Sequence, residues 1–216
     1  MIWEIIKAAF ITTCLAAFFS INLYNILKWQ FPRKKDRNVK VHAEIPLPEG
    51  LPVALVSFGT FIFFSESILY CTLVFAGYTG ILSVFPLQLH SPFNFYIEVL
   101  GLTLTGSGYI LFIWSVLARG RYATSWAMPE NHKLVTWGPY RYVRHPSYSA
   151  YFLMFIGLFL VWLNVIAVLP LMAVPGYVYV SQREEELLLL RFGDEYRKYQ
   201  STTGKFFPKL KNRTSK

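Results

Sequence analysis

The sequence is short of charge. Asp, Glu, Lys and Arg make up 15% of its 216 residues, against about 25% in a typical soluble domain. With 54% apolar residues beside it, that scarcity argues against an ordinary soluble fold. Acid is the scarcer sign, with 12 Asp and Glu against 21 Lys and Arg. There are only two cysteines, Cys14 and Cys71, both inside apolar runs. They provide no disulfide framework and no metal spacing. The four histidines are too few and too scattered for a metal site, so none is expected. No internal repeat and no low-complexity tract is present. The N-terminus lacks the basic stretch of a signal peptide, and its charges follow the first apolar run, so no cleavable leader is expected. Aromatics are abundant instead. Phe, Trp and Tyr reach 18%, which excludes a disordered chain.

Several apolar runs approach or exceed the ~20 residues a membrane helix needs. The expected fold is therefore an all-α, multi-pass integral membrane protein. Twenty of the 21 basic residues fall in three stretches. Residues 28–50 hold six, 119–147 hold five and 181–216 hold nine; the remaining one is Lys7. Basic clusters between apolar runs mark the cytoplasmic side of a membrane, where they also attract anionic lipid. No soluble basic module is present, so nucleic acid is not expected as a partner.

The spans follow from runs and charge parity together. The first is about Ile2–Leu27, followed by a basic loop from Lys28 to Gly50 holding Pro32, Pro46 and Pro48. Leu51–Phe85 is too long for one straight span, since 35 residues of helix would run ~52 Å across a ~30 Å core. One net crossing with an interfacial extension keeps all three basic stretches on one side, as the charge rule requires. Glu66 lies inside this stretch and would cost roughly 2.5–3.5 kcal/mol at mid-membrane. It is expected near an interface or facing the bundle interior. The loop from Pro86 to Pro92 has no Lys or Arg and reads as the outer side. The third span is about Phe93–Leu117. Its TGSGYI run reads as close helix packing through small residues. Tyr148–Leu163 and Val165–Val180 are two 16-residue arms around Asn164, read as a helical hairpin that dips from the inner side and returns. Pro170 and Pro175 interrupt its second arm. The total is five spans with the C-terminus inside. Residues 1–92 hold the N-terminal spans and the basic cytosolic loop, and 93–216 hold a catalytic membrane region with a cytosolic tail. No pattern here encodes an oligomeric state.

Two polar clusters stand out on the inner side. The first is NHKLVTWGPYRYVRHPSYSAY, from Asn131 to Tyr151; the second begins at Arg183 and reads REEELLLLRFGDEYRKY. A hairpin brings them together, placing Arg144, His145 and Tyr148 near Glu184 and Glu185. Arg141, Arg144 and the tyrosines also suit simple interfacial anchors. Three consecutive carboxylates beside anionic headgroups, however, need a cationic partner. A pocket with walls of both signs fits S-adenosylmethionine, which carries a carboxylate, an ammonium, a sulfonium and an adenine. The carboxylate wants Arg, His or Tyr donors, and the ammonium wants Glu. Leu134 and Val135 offer the adenine apolar walls, with His132 as a polar contact.

The combination H-x-L-V-T-x-G-x-Y-x-x-x-R-H-P-S-Y, then E-E, then F-G-x-E-Y-x-x-Y, resembles the isoprenylcysteine carboxyl methyltransferases. It also resembles the wider group of small integral-membrane methyltransferases that includes the phospholipid methyltransferases. The resemblance covers about residues 93–208. It implies S-adenosylmethionine as cofactor, bound at the cytosolic face. By motif position, the cofactor-binding residues it implies are His132, Lys133, Leu134 and Val135, then Tyr140, then His145, Pro146, Ser147 and Tyr148, and finally Glu184. Glu185, Tyr148 and Arg144 are the candidate catalytic residues. The chain departs from the family at Ala150, usually Gly, and at Val180. There the family has an Arg, assigned in the carboxyl methyltransferases to the substrate carboxylate. The implied reaction is an in-line methyl transfer, mostly a matter of proximity and alignment. The acceptor is expected to be a lipophilic small molecule or a lipidated substrate entering between the spans, along walls such as Phe152, Phe155, Phe159 and Trp162. An isoprenylcysteine-type carboxylate is the leading acceptor. A phospholipid amine or a thiol is the alternative, and an amine would require Glu185, Glu186 or Tyr148 to take a proton. Two rivals stand outside the family: an NADPH-dependent sterol-type reductase, whose cofactor phosphates the Glu run repels, and a non-catalytic lipid-binding membrane protein.

Overall fold

The structure is a computed structural model and describes residues 1–30, 41–42, 48–84, 88–122, 128–129 and 132–209. Most of the first basic loop, including Arg33 to Lys40, Pro32 and Pro46, lies outside the described residues, as do Pro86, Asn131 and residues 210–216. Seven α-helices are present among the described residues: α1 Ile2–Asn25, α2 Leu51–Phe75, α3 Thr79–Val84, α4 Asn94–Arg119, α5 Pro146–Trp162, α6 Ala173–Phe192 and α7 Asp194–Thr202. Four helical stretches are long and apolar enough to cross a membrane: Ile2–Trp29, Leu51–Phe75, Asn94–Tyr122 and Val165–Phe192. The chain is a multi-pass integral membrane protein.

Five spans were expected, the last two as hairpin arms short of a full crossing, and the structure has four long helices and a shorter one. Helix α5 has 17 residues, or ~25 Å, short of the ~30 Å hydrocarbon core. It ends at Leu163, which takes a left-handed conformation. Asn164 then caps the next turn by accepting from the Ile166 amide at 2.9 Å. The second arm of the hairpin is longer than the expected Val165–Val180. It opens as a 3-10 helix, Val165–Met172, and continues as α6. Pro170 has no amide hydrogen to give to an α-helical bond, which accounts for the tighter helix there. Pro175 lies in the first turn of α6 and is tolerated.

Of the stretch Leu51–Phe85, the described part, 51–84, forms one long helix and a short one. Helix α2 ends at Phe75, Gly77 turns the chain at φ +81°, and α3 follows. The hairpin tip meets the connection beyond α3: Leu89 N donates to Leu163 O at 2.7 Å, and Gln88 Nε2 to Trp162 O at 3.2 Å. The tip therefore reaches the end of the bundle opposite the basic stretches. At the basic end, β1 (Val41–His42) pairs antiparallel with β2 (Met128–Pro129). This ladder ties the first basic stretch to the second, in line with the parity expected from charge.

Small residues decide how the helices meet. Helices α4 and α5 pack through Gly101, Thr105, Gly108, Ala150 and Gly157. A Cβ on Gly108 would lie 2.7 Å from Met154 Cγ and 2.8 Å from Ala150 O. The TGSGYI run thus serves close packing, with Gly106 on the Phe10 ring of α1. Helix α6 packs instead on α2, where a Cβ on Gly59 would lie 2.8 Å from that of Ala173. The two hairpin arms therefore lean on different neighbours. They are bridged by Tyr177, whose ring meets those of Tyr148, Tyr151 and Phe152. Phe155 and Trp162 are buried in this interior, and Phe152 and Phe159 are partly buried against it.

At the far end, Lys7 is 2% exposed and bridges Glu4 at 2.8 Å and Glu98 at 3.0 Å. Its ammonium also donates to Val161 O at 3.3 Å, fastening α1 to the C-terminal end of α5. Glu66 faces the bundle interior at 6% exposure, one of the two locations expected for it, and neither of its oxygens has a hydrogen-bond partner.

Candidate active site at the basic end of the bundle

Helix α5 begins at Pro146, whose fixed φ suits the first turn and whose missing amide hydrogen costs nothing there. The RHPSY residues therefore sit at a helix start, at the basic end of the bundle. Helix α6 brings its carboxylates to the same level from the opposite direction. Tyr148 Oη donates to Glu184 Oε1 at 2.9 Å. The two nitrogens of the His145 ring address two different carboxylates: Nδ1 lies 3.5 Å from Glu184 Oε2, and Nε2 lies 3.0 Å from Glu185 Oε1.

Glu184 and Glu185 are neighbours in sequence but differ in surroundings. Glu185 receives Arg144 Nε at 2.8 Å, Arg144 Nη2 at 3.4 Å, His145 Nε2 at 3.0 Å and Gln200 Nε2 at 3.2 Å. Its oxygens are saturated and it does not line the cavity; Glu184 does. Glu186 turns outward and pairs with Arg183 at 2.6 Å on the exposed side. Burial disfavours the charged imidazole of His145, but the hydrogen bonds and charges of Glu184 and Glu185 outweigh it, and its pKa is raised above the ordinary value. Tyr140 is raised chiefly by burial, opposed by the nearby Arg119 charge.

The cavity encloses about 710 Å³ of space free of protein atoms, part of it open to solvent. His132, Lys133, Leu134, Val135, Tyr140, Arg144, His145, Pro146, Ser147, Tyr148 and Glu184 all line it. Of the candidate residues, Glu185 alone stands behind the wall. Val180 and Arg183 do not line it either.

Sequence reading missed Arg119, Tyr122, Leu188, Tyr196 and Tyr199, which complete the lining. Arg119 is the last residue of α4. Its Nη2 donates to Ser147 Oγ at 3.2 Å, and its buried Nε has no partner. No carboxylate lies within ion-pair distance of it among the described residues. Ser147 Oγ is also 2.7 Å from Ser115 Oγ, which couples α4 to α5 behind the guanidinium. The available signal was position, since Arg119 is the first charge after the third apolar run. Leu188 lies one helical turn beyond Glu184, and Tyr196 and Tyr199 belong to the FGDEYRKY segment.

The arrangement is an all-α membrane protein with a mixed-charge cavity where α4 ends, α5 begins and α6 carries Glu184. The model of the phospholipid methyltransferase family matches residues 96–195, which hold all of the cavity lining except Tyr196 and Tyr199. The chain is 33% identical over 112 residues to protein-S-isoprenylcysteine O-methyltransferase B of Arabidopsis thaliana, covering 49% of this chain and 56% of that protein. It is 34% identical over 82 residues to the Tribolium castaneum protein-S-isoprenylcysteine O-methyltransferase, covering 37% and 29%. The Schizosaccharomyces pombe enzyme of that name is 39% identical over 74 residues, covering 33% and 31%. The matched segments thus span about a third to a half of these relatives. A solved structure of the eukaryotic intramembrane Ras methyltransferase (isoprenylcysteine carboxyl methyltransferase) aligns with 72% of this chain and 51% of that one, at 23% identity and TM-score 0.47. Over residues 96–195 the chain is thus similar to the membrane methyltransferases that include the phospholipid and isoprenylcysteine enzymes.

Proposed function

We propose that this protein transfers a methyl group from S-adenosylmethionine to a lipophilic acceptor at the basic, cytoplasmic face of its membrane. One observation carries the reading. The cavity is lined both by the Glu184 carboxylate and by the Arg119 guanidinium, which meets no carboxylate among the described residues. Apolar Leu134 and Val135 line the same cavity. That donor set fits an adenosyl amino acid, whose ammonium would meet Glu184 and whose adenine would meet Leu134, Val135 and His132. The unpartnered Nε of Arg119 suits a carboxylate, with Lys133 as a second cation. Bound there, the cofactor supplies an electrophilic methyl group on a sulfonium.

The protein's own residues bind and orient. Tyr148 and His145 hold the Glu184 carboxylate in place, and Tyr140, Pro146 and Ser147 shape the wall. Arg144 and Glu185 hold each other, which gives both a positioning role in place of the catalytic one expected. With Glu185 saturated by donors, no free general base faces the cavity from that side. A carboxylate acceptor needs none, because it is already ionised at neutral pH. This favours an isoprenylcysteine-type carboxylate, with Arg119 as the cation that Val180 does not supply. The match to the phospholipid methyltransferase model supports a second reading, a lipid amine acceptor. In that case Glu184 must take the proton, directly or by relay through the Tyr148 hydroxyl that donates to it.

Calorimetry on the detergent-purified protein tests the donor, with NADPH titrated in parallel. Binding of S-adenosylmethionine that weakens at least tenfold in Glu184→Gln is the expected result. Binding of NADPH alone would replace this reading with the reductase. Methyl transfer to a farnesylcysteine analogue, measured against phosphatidylethanolamine, then separates the two acceptors.

A further inference from the structure

The chain beyond α7 turns back across the RHPSY segment. Residues 203–206 run beside 143–149, with Val143 and Gly204 bridged in parallel register. Arg144 N donates to Gly204 O at 2.8 Å and His145 N to Lys205 O at 3.0 Å. Ser149 Oγ donates to Phe206 O at 2.7 Å. The Arg144 guanidinium, already on Glu185, also donates to Thr203 O. The Phe206 ring packs on His145 and on Phe152, with centroids 5.8 and 5.3 Å away.

These bonds answer a local need. His145 caps α5 without any side-chain cap bond, and Pro146 follows it. The amides just before the helix therefore need acceptors from elsewhere, and the returning chain supplies them. The strap also has little slack. A Cβ on Gly204 would run into Phe207 O and lie 3.0 Å from Lys209 N.

We propose that Thr203–Phe206 is a positioning strap of the cofactor site. It holds the backbone of Arg144 and His145 in register so that both side chains meet the α6 carboxylates. Glu184, which touches His145 and Tyr148, depends on the strap at one remove. The inference rests on the cofactor reading above, and it adds a C-terminal segment that lines none of the cavity.

Three variants of the whole chain test it. Gly204→Ala displaces the strap backbone, and Phe206→Ala removes its ring from His145. Phe206→Leu keeps an apolar contact and serves as the conservative rescue. Two quantities are read: amide hydrogen exchange of the segment 143–149, and the Kd for S-adenosylmethionine. In Gly204→Ala, faster exchange at Arg144 and His145 and a Kd raised about tenfold are expected, on the scale of one lost charge-assisted hydrogen bond. Exchange within α4 should stay unchanged. Phe206→Ala should raise the Kd as well, and Phe206→Leu should restore it to within about threefold. Faster exchange at 143–149 with an unchanged Kd would overturn the strap's role. So would equal damage from Phe206→Leu and Phe206→Ala, or a loss of protection throughout α4 and α5, which marks general unfolding. Wild-type protein that binds no S-adenosylmethionine would instead overturn the cofactor reading itself, a result visible before any variant is made.

Discussion

Replacing Glu185 by Gln asks whether this carboxylate is a structural partner or a base. The side chains of Arg144 and Glu185 are each 12% exposed, so the pair is largely withdrawn from water. Removing one partner of a buried pair typically costs 3–5 kcal/mol, because the other charge is left uncompensated. Here Arg144 keeps the main-chain oxygens of Gln200 and Thr203, and the new amide still offers one oxygen. The expected loss is therefore at the lower end, about 3 kcal/mol. Denaturation of the purified protein in detergent measures it. A cycle with Arg144→Met and the double variant isolates the pair, and a coupling of at least about 1.5 kcal/mol is expected for contacting residues. A loss below about 1 kcal/mol, the worth of an exposed pair, would refute the buried-pair reasoning. Full stability with methyl transfer abolished would return Glu185 to the role of a base.

Gly157→Ala tests the α4–α5 seam. The added Cβ would press on Thr105 Oγ1 and lie 2.7 Å from Thr105 N and 2.9 Å from Gly101 O, so backbone must move; a loss of about 1–3 kcal/mol is expected in the same denaturation assay. The pH dependence follows from His145, whose raised pKa means that the folded state binds its proton more tightly than the unfolded state. The stability this adds is fully present below the unfolded value of about 6.5 and is lost as pH rises through the higher folded value. The melting temperature of wild type should fall over that interval, and His145→Gln should flatten the profile. A wild-type profile that rises there would reverse the assignment.

Much of this architecture is legible in the sequence because the bilayer restricts what a chain can do. Apolar runs of membrane length must be helices, since backbone groups in lipid have no other partners. Basic stretches must share a side, and the β1–β2 ladder joins two of them directly. The meeting of RHPSY with the Glu run is equally legible. A hairpin with its tip at Asn164 leaves its two feet side by side, whatever their detailed packing. Gly106 and Gly108 read as packing residues because a small side chain in an apolar helix has little other use.

The remainder depended on tertiary contacts. Glu184 and Glu185 look alike in the sequence, yet successive residues on a helix point about 100° apart. Only the packed position of α6 decides which one lines the cavity and which is enclosed by Arg144, His145 and Gln200. Arg119 reads only as one of five basic residues in 119–147 until α4 meets α5 and sets its guanidinium on Ser147. Pro170 disfavours an α-helix before α6, but the eight-residue extent of the 3-10 stretch appears only in the folded structure. The C-terminal strap has no periodic pattern. Its bonds run through main-chain carbonyls, which every residue carries, so side-chain chemistry could not announce it. Composition and periodicity determined that this chain is a membrane bundle with a polar site at its basic end. The packing of α4, α5 and α6, and the return of residues 203–206, decided which charges face the cavity and which hold them there.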